Sequence, residues 1–191
     1  MFIDVRIPWE PGKKLGYAIN RTMETVRGNV LILDHDVFLS LNPHWYQICE
    51  NAIEVLKNEQ WGWISCYTNA IGCPTQKLKT AGNAGADLDW HFKAAEEIYK
   101  QNKGKIEDIT EVSRRWKLSG FFILTNKEAY SKVKALSGFP DNKFLGWDNY
   151  FSDRLIEHGF KLYLMQDLYV YHGYKRLWKN EMWGKGIVGN E

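Results

Sequence analysis

Short apolar runs, separated by segments of helical periodicity, constrain this chain more than any other feature. VLIL at residues 30–33 carries no polar side chain, and so short an unbroken run reads as a strand buried on both faces. FIDVRIPW (2–9), WGWISCYT (61–68), SGFFILTN (119–126) and KLYLMQDLYVYH (161–172) are the other strand candidates. Between them apolar residues recur at helical spacing. Leu15, Ala18, Ile19, Met23 and Val26 form one stripe, stopped by Gly28. Trp45, Ile48, Cys49, Ala52, Ile53 and Leu56 form another, opened by Asn42-Pro43 as cap and first turn. DLDWHFKAAEEIYKQNKG (87–104) puts acid first and base last, as a helix dipole favours. KEAYSKVKAL (127–136) and DNYFSDRLIEHGF (148–160) are two further helices, the second closed by Gly159. Strands alternating with helices, without an internal repeat or a linker, predict one α/β domain over residues 1–191 on a mostly parallel sheet.

The charge balance narrows the function classes. A formal charge of +2 over 191 residues gives no electrostatic case for nucleic acid or an anionic membrane as the main partner. No apolar run approaches the ~18 residues of a membrane span. MFIDVRIPWEPGKK mixes acid and base into its apolar part and does not read as a signal peptide. Cys49, Cys66 and Cys73 are odd in number and lack metal-type spacing, which suits a reducing, cytoplasmic setting. Aromatic residues make up 15% of the chain, with nine Trp. That surplus fills cores, and it also suits flat ligands such as sugars and bases. Residues 69–87 are rich in Gly, Ala, Thr and Asn, long for a structureless loop, and read as a flap.

The run at 30–33 ends in Asp34-His35-Asp36. Residues two apart in an extended chain face the same way, which would set the carboxylates roughly 6–7 Å apart. Their repulsion is then on the order of 2–3 kcal/mol at an effective dielectric of 20, so a cationic group is expected beside them. In open α/β sheets ligands sit beyond the carboxyl ends of strands, where Asn69 and His172 also fall. Hard carboxylate oxygens suit Mg²⁺ or Mn²⁺, and the imidazole of His172 tilts the choice towards Mn²⁺. The competing reading is a strand-end turn in which both carboxylates accept backbone N–H bonds.

Several stretches, taken in order, resemble the glycosyltransferases of the GT-A fold, family 2-like. Gly16-Tyr17-Ala18-Ile19-Asn20 is similar to that family's Gly-x-Ala-x-Asn element, and Asp34-His35-Asp36 to its Asp-x-Asp. Ser119-Gly120 and Gly138-Phe139-Pro140 follow, and then Gly146-Trp147-Asp148, Phe151, Arg154, Gly159-Phe160-Lys161 and Val170-Tyr171-His172. The opening IPWEPGKKLG looks like a subgroup of short, phage- or bacterial-type members. In two places the chain departs from the pattern. Trp147 replaces the first member of the usual acidic pair, and a single strand and helix precede the Asp-x-Asp strand, a shortened N-terminal half.

The resemblance implies a three-layer α/β/α fold and a metal-dependent transfer of a sugar to an acceptor hydroxyl, with inversion. The donor would be a UDP- or GDP-sugar and the acceptor a carbohydrate or another hydroxyl compound. It assigns Asp148 as the general base, Asp34, Asp36 and His172 to Mn²⁺ or Mg²⁺, and Asp34, Pro8, Trp9, Asn20, Gly120 and Trp147 to the donor. Plainer roles compete with these. Asp148 could be only a helix cap, His172 a strand-end His, and Trp147 and Trp9 core residues. His35 reads as a solvent-facing spacer, and Trp90 and His91 as core or acceptor contacts. Arg114, Arg115, Lys175, Arg176 and Lys179 read as a solvated basic face rather than diphosphate ligands. A non-catalytic nucleotide-sugar- or carbohydrate-binding module is the alternative function. An aspartate-nucleophile phosphatase is disfavoured by Phe38, where that class has Thr or Val.

Overall fold

The apolar runs fold as strands, and among the described residues seven strands form one sheet. The computed structural model describes residues 2–12, 14–83, 87–137 and 146–173. The strands are β1 (Ile3–Arg6), β2 (Asn29–Leu33), β3 (Val37–Phe38), β4 (Trp61–Thr68), β5 (Ile106–Asp108), β6 (Phe122–Asn126) and β7 (Lys161–His172). The helices are α1 (Leu15–Thr25), α2 (Trp45–Val55), α3 (Leu88–Asn102), α4 (Thr110–Arg115), α5 (Lys127–Ser137) and α6 (Trp147–Glu157). Strand order is β1-β2-β6-β4-β7-β3, with β5 also paired to β7.

The mostly parallel sheet expected from the alternation of elements is in fact mixed. β1 with β2 and β4 with β7 are parallel pairs, whereas β6 runs antiparallel to both β2 and β4. An apolar run buried on both faces carries no mark of its direction, so the reversal of β6 could not be read from composition. The reversal has a consequence for the site. Leu33 at the end of β2 pairs with Phe122 at the start of β6, so Ser119-Gly120 arrives at the end of the sheet where Asp34 leaves it. β3, β5 and α4 were not expected, being too short to show a period.

Alternation along β2 sorts its residues between two cores. Val30 and Ile32 join Ile19 and Met23 of α1, Tyr130 and Val133 of α5, and Phe151 and Leu155 of α6. Leu31 and Leu33 join Ile48, Cys49 and Ile53 of α2 on the other face. Helices therefore cover both faces, and α3 packs Ala95 and Ile98 against Tyr169 and Tyr171 of β7. Asp87 caps α3, accepting the Trp90 N–H at 3.1 Å. Gly159 ends the α6 segment with φ of 80°, as the glycine stop predicts.

Helix α6 lies so close to β4 that a Cβ on Gly62 would stand 2.5 Å from Leu155 Cδ2. Gly62→Val is therefore expected to cost about 1–3 kcal/mol by overpacking, visible as a lower urea midpoint with an unchanged slope.

Of the segment 69–87 read as a flap, residues 84–86 lie outside the described residues, and residues 69–83 are ordered. They carry 3-10 turns at Pro74–Gln76 and Lys79–Asn83. Gln76 and Cys73 are buried, and the Leu78 N–H bonds the Thr68 carbonyl at 2.9 Å.

Candidate functional site

Three strand ends converge on Asp34, Asp36 and His172. Asp34 follows β2, and its N–H bonds the Phe121 carbonyl at 3.1 Å. The chain turns at His35, which faces solvent, and enters β3, whose Val37 pairs with His172. Past β7, the Gly173 N–H bonds the Asp36 carbonyl at 2.9 Å. A Cβ on Gly173 would stand 3.2 Å from Asp36 Cβ, so a side chain there would crowd the carboxylate. Asn69, at the end of β4, clamps the His172 backbone from both sides. Its Oδ1 accepts the His172 N–H at 2.7 Å, and its Nδ2 donates to the His172 carbonyl at 3.1 Å. Gly173 was missed in the sequence because nothing before the fold relates it to Asp36.

The side chain set beside the two close carboxylates is His172. Its Nε2 lies 3.2 Å from Asp36 Oδ1 and 3.7 Å from Asp34 Oδ2. One ligand atom from each of the three residues falls within 4.8 Å of the others. Nδ1 of His172 faces the Ala70 carbonyl at 3.1 Å, which calls for the proton on that nitrogen. Nε2 then points at two carboxylates, an arrangement that requires a second proton or a metal ion between them. Two hard oxygens with one imidazole nitrogen fit Mn²⁺ or Mg²⁺.

The two carboxylates respond in an order opposite to their exposure. The Asp34 side chain is 46% exposed, yet its pKa is raised to about 6. Removal from bulk water is the main cause; the charge of His172 opposes it most strongly, and the charges of Asp36 and Asp148 add to the rise. Burial acts to raise Asp36 as well, but the hydrogen bond and charge of His172 hold it below the usual carboxylate range. The repulsion anticipated from Asp-x-Asp thus falls on Asp34.

Asp148 stands beside this group, in the first turn of α6. The helix cap position belongs to Gly146, with φ of 75°, which corrects the reading of Asp148 as the cap. Asp148 Oδ2 accepts the Gly120 N–H at 2.9 Å, and Oδ1 accepts the Asn149 N–H at 2.8 Å. A Cβ at residue 120 would stand 3.0 Å from Asp148 Cβ, so Gly120 serves by lacking one. Ser119 before it is held by the buried Gln76, whose Oε1 accepts the Ser119 N–H at 2.7 Å while Nε2 donates to its carbonyl at 3.0 Å.

The remaining candidates divide between core and surface. Trp147 is buried with its ring 5.0 Å from Phe151, so the structure places it in the core rather than against a sugar face. Asn20 is also buried and accepts a hydrogen bond from the Tyr130 hydroxyl, which places it between α1 and α5. His91 contacts the Tyr169 hydroxyl at 2.7 Å and packs on Tyr171, with the Trp90 edge against it; it is a core residue. Arg114 pairs with Glu111 on an exposed helix face, and Arg115 lies over Trp116. Trp9 is 79% exposed and Pro8 half-buried. Trp9 lines an open groove of about 630 Å³ with Arg6, Glu10, Tyr17 and Arg21. β1 and β2 are parallel, so the loop bearing Trp9 leaves the sheet at the Asp34 end. Gly138-Phe139-Pro140, Lys175, Arg176 and Lys179 lie outside the described residues.

Fold and site together define an α/β enzyme-like domain with a carboxylate–imidazole centre at its strand ends. The chain belongs to the glycosyltransferase (GlcNAc) family, whose model matches residues 4–188. No curated protein matches it. Among the described residues no helix is long and apolar enough to cross a membrane.

Proposed function

We infer that this protein is a metal-dependent glycosyltransferase of GT-A type, moving a sugar from a nucleoside-diphospho-sugar to an acceptor hydroxyl with inversion. The GlcNAc of the family description supports N-acetylglucosamine as the sugar, and UDP or GDP is the nucleotide that the GT-A resemblance implies. The observation that carries the reading is the convergence of Asp34, Asp36 and His172 beside the helix-start carboxylate Asp148.

Asp36, His172 and Asp34 would hold Mn²⁺ or Mg²⁺, which supplies charge stabilisation for the leaving diphosphate. Asn69 and the Ala70 carbonyl fix the His172 ring, so its Nε2 keeps one orientation. Asp148 removes the acceptor proton, and the Gly120 N–H and the start of α6 hold its carboxylate in place. Trp9 and Pro8 offer an apolar face for the nucleobase.

The test is direct. The purified chain is incubated with UDP- and GDP-sugars, UDP-N-acetylglucosamine included, with Mn²⁺, Mg²⁺ or EDTA, and released nucleoside diphosphate is measured. Metal-dependent release from at least one donor is expected. Donor binding without turnover would favour the non-catalytic module, and hydrolysis of p-nitrophenyl phosphate instead would favour the phosphatase.

The raised pKa of Asp34 gives a pH signature. In the metal-free protein, folding favours protonated Asp34. Stability contributed there is therefore full below the ordinary carboxylate value and falls as pH rises to about 6. Metal binding needs the charged form, so its affinity rises over the same window. The increase in Tm on adding Mn²⁺ is expected to be small near about pH 5 and larger near about pH 7.5. An equal increase at both would remove Asp34 from the metal shell.

A further inference from the structure

β1 is an outer strand of the sheet, and among the described residues no strand pairs with its free edge. Edge strands are usually shielded by charge, proline or a covering element. This one carries charge at Asp4 and Arg6 and a proline just past it at Pro8, but it also shows exposed apolar side chains: Val5 and Ile7 on the strand line and Phe2 (76%) at its start. The outward amides can be assigned. The Ile3 N–H donates to the Tyr46 hydroxyl at 3.0 Å rather than to β2. Backbone groups of alternate residues face the same side of a strand, so Ile3, Val5 and, one step past β1, Ile7 turn theirs to the open edge.

The sequence along this edge is Ile3-Asp4-Val5-Arg6-Ile7. Read from either end it has the same pattern, apolar residues at the odd positions and opposite charges on the two sides of Val5. We propose that β1 pairs antiparallel with β1 of a second copy of this chain, about a two-fold axis through Val5. In this register Val5 faces its own copy and Ile3 faces Ile7, at the hydrogen-bonded positions. Asp4 faces Arg6 twice, at the non-hydrogen-bonded positions where side chains lie closest. A two-fold contact requires such a self-complementary surface. The Asp4–Arg6 contact within each copy, 2.8 Å and exposed, extends into a four-member charge cluster. The Tyr46 hydroxyl on Ile3 marks the place that the partner's carbonyl takes. Phe2 of each copy adds apolar area at the two ends of the contact. The sheet becomes continuous across the dimer, and the two-fold turns the two Asp34–Asp36 ends in opposite directions, so neither site is covered.

Analytical ultracentrifugation of the full chain over a concentration series tests this. A reversible monomer–dimer equilibrium is expected. Asp4→Arg and Arg6→Asp should each weaken it by about tenfold or more, because each places like charges opposite one another. The double swap, Asp4→Arg with Arg6→Asp, should return the dissociation constant to near its original value. Val5→Pro, which removes the central N–H at an edge position, should leave monomer. A chain that stays monomeric at every concentration overturns the proposal. So does a dimer indifferent to the single reversals, or one that the double swap fails to restore.

Discussion

Asp148→Asn is expected to lower sugar transfer by ~10²–10⁴ while leaving the fold and donor affinity nearly intact. Asn keeps the size of the side chain and an oxygen for the Gly120 N–H, which Asp148 accepts at 2.9 Å. It lacks only the capacity to take a proton. Loss of the second contact, to the Asn149 N–H, should cost about 1 kcal/mol or less, since both groups reach solvent. The substitution has a second readout. The charge of Asp148 helps to raise the pKa of Asp34, so its removal should move the pH dependence of metal binding downward. A variant that transfers sugar at the original rate, with product detected by mass spectrometry, would take the chemistry away from Asp148. A variant with lost activity but an unmoved metal profile would separate Asp148 from Asp34.

Asp36→Asn is expected to abolish the advantage that metal gives to nucleoside diphosphate binding. The drop should exceed the ~10–100-fold typical of losing a residue that merely supports a metal ligand. Asp36 is the buried member of the pair and lies nearest to His172, at 3.2 Å. Its pKa is held low in the folded chain, so the charged form adds stability above the unfolded value, lost as pH falls through the folded one. The variant should therefore also be less stable without metal near neutral pH, by about 1–3 kcal/mol, the worth of a hydrogen bond to a charged group. Titration calorimetry with UDP in Mn²⁺ and in EDTA measures the first effect, and urea unfolding the second. An Asn variant that binds UDP and Mn²⁺ as before would place the metal elsewhere.

Much of the candidate site was legible because strand ends announce themselves. An unbroken apolar run that stops at Asp34-His35-Asp36 puts carboxylates at a sheet end, and KLYLMQDLYVYH does the same for His172. The need for a cation beside two like charges was also present before any fold, and the structure sets His172 beside them where the three could hold a metal ion. Gly120 and Asp148 were legible only as a resemblance; that the Gly120 N–H meets the Asp148 carboxylate depends on β6 running backwards. Trp147 and Asn20 are buried among helices, which the sequence could not tell, because an aromatic or an amide next to a motif looks the same whether it faces a ligand or a neighbouring helix.

By itself the sequence determined the longer elements, their order and the faces they bury, because hydrophobic period is a local property. Val30 and Ile32 had to face one way, Leu31 and Leu33 the other. It also determined that Asp34 and Asp36 repel. Only the tertiary structure decided the direction of β6, the register that sets Val37 against His172, and the close passages at Gly62, Gly120 and Gly173. Those features are contacts between residues far apart in the chain. A strand buried on both faces can pair in either direction at similar cost, and the choice is made by how all the helices and strands pack at once.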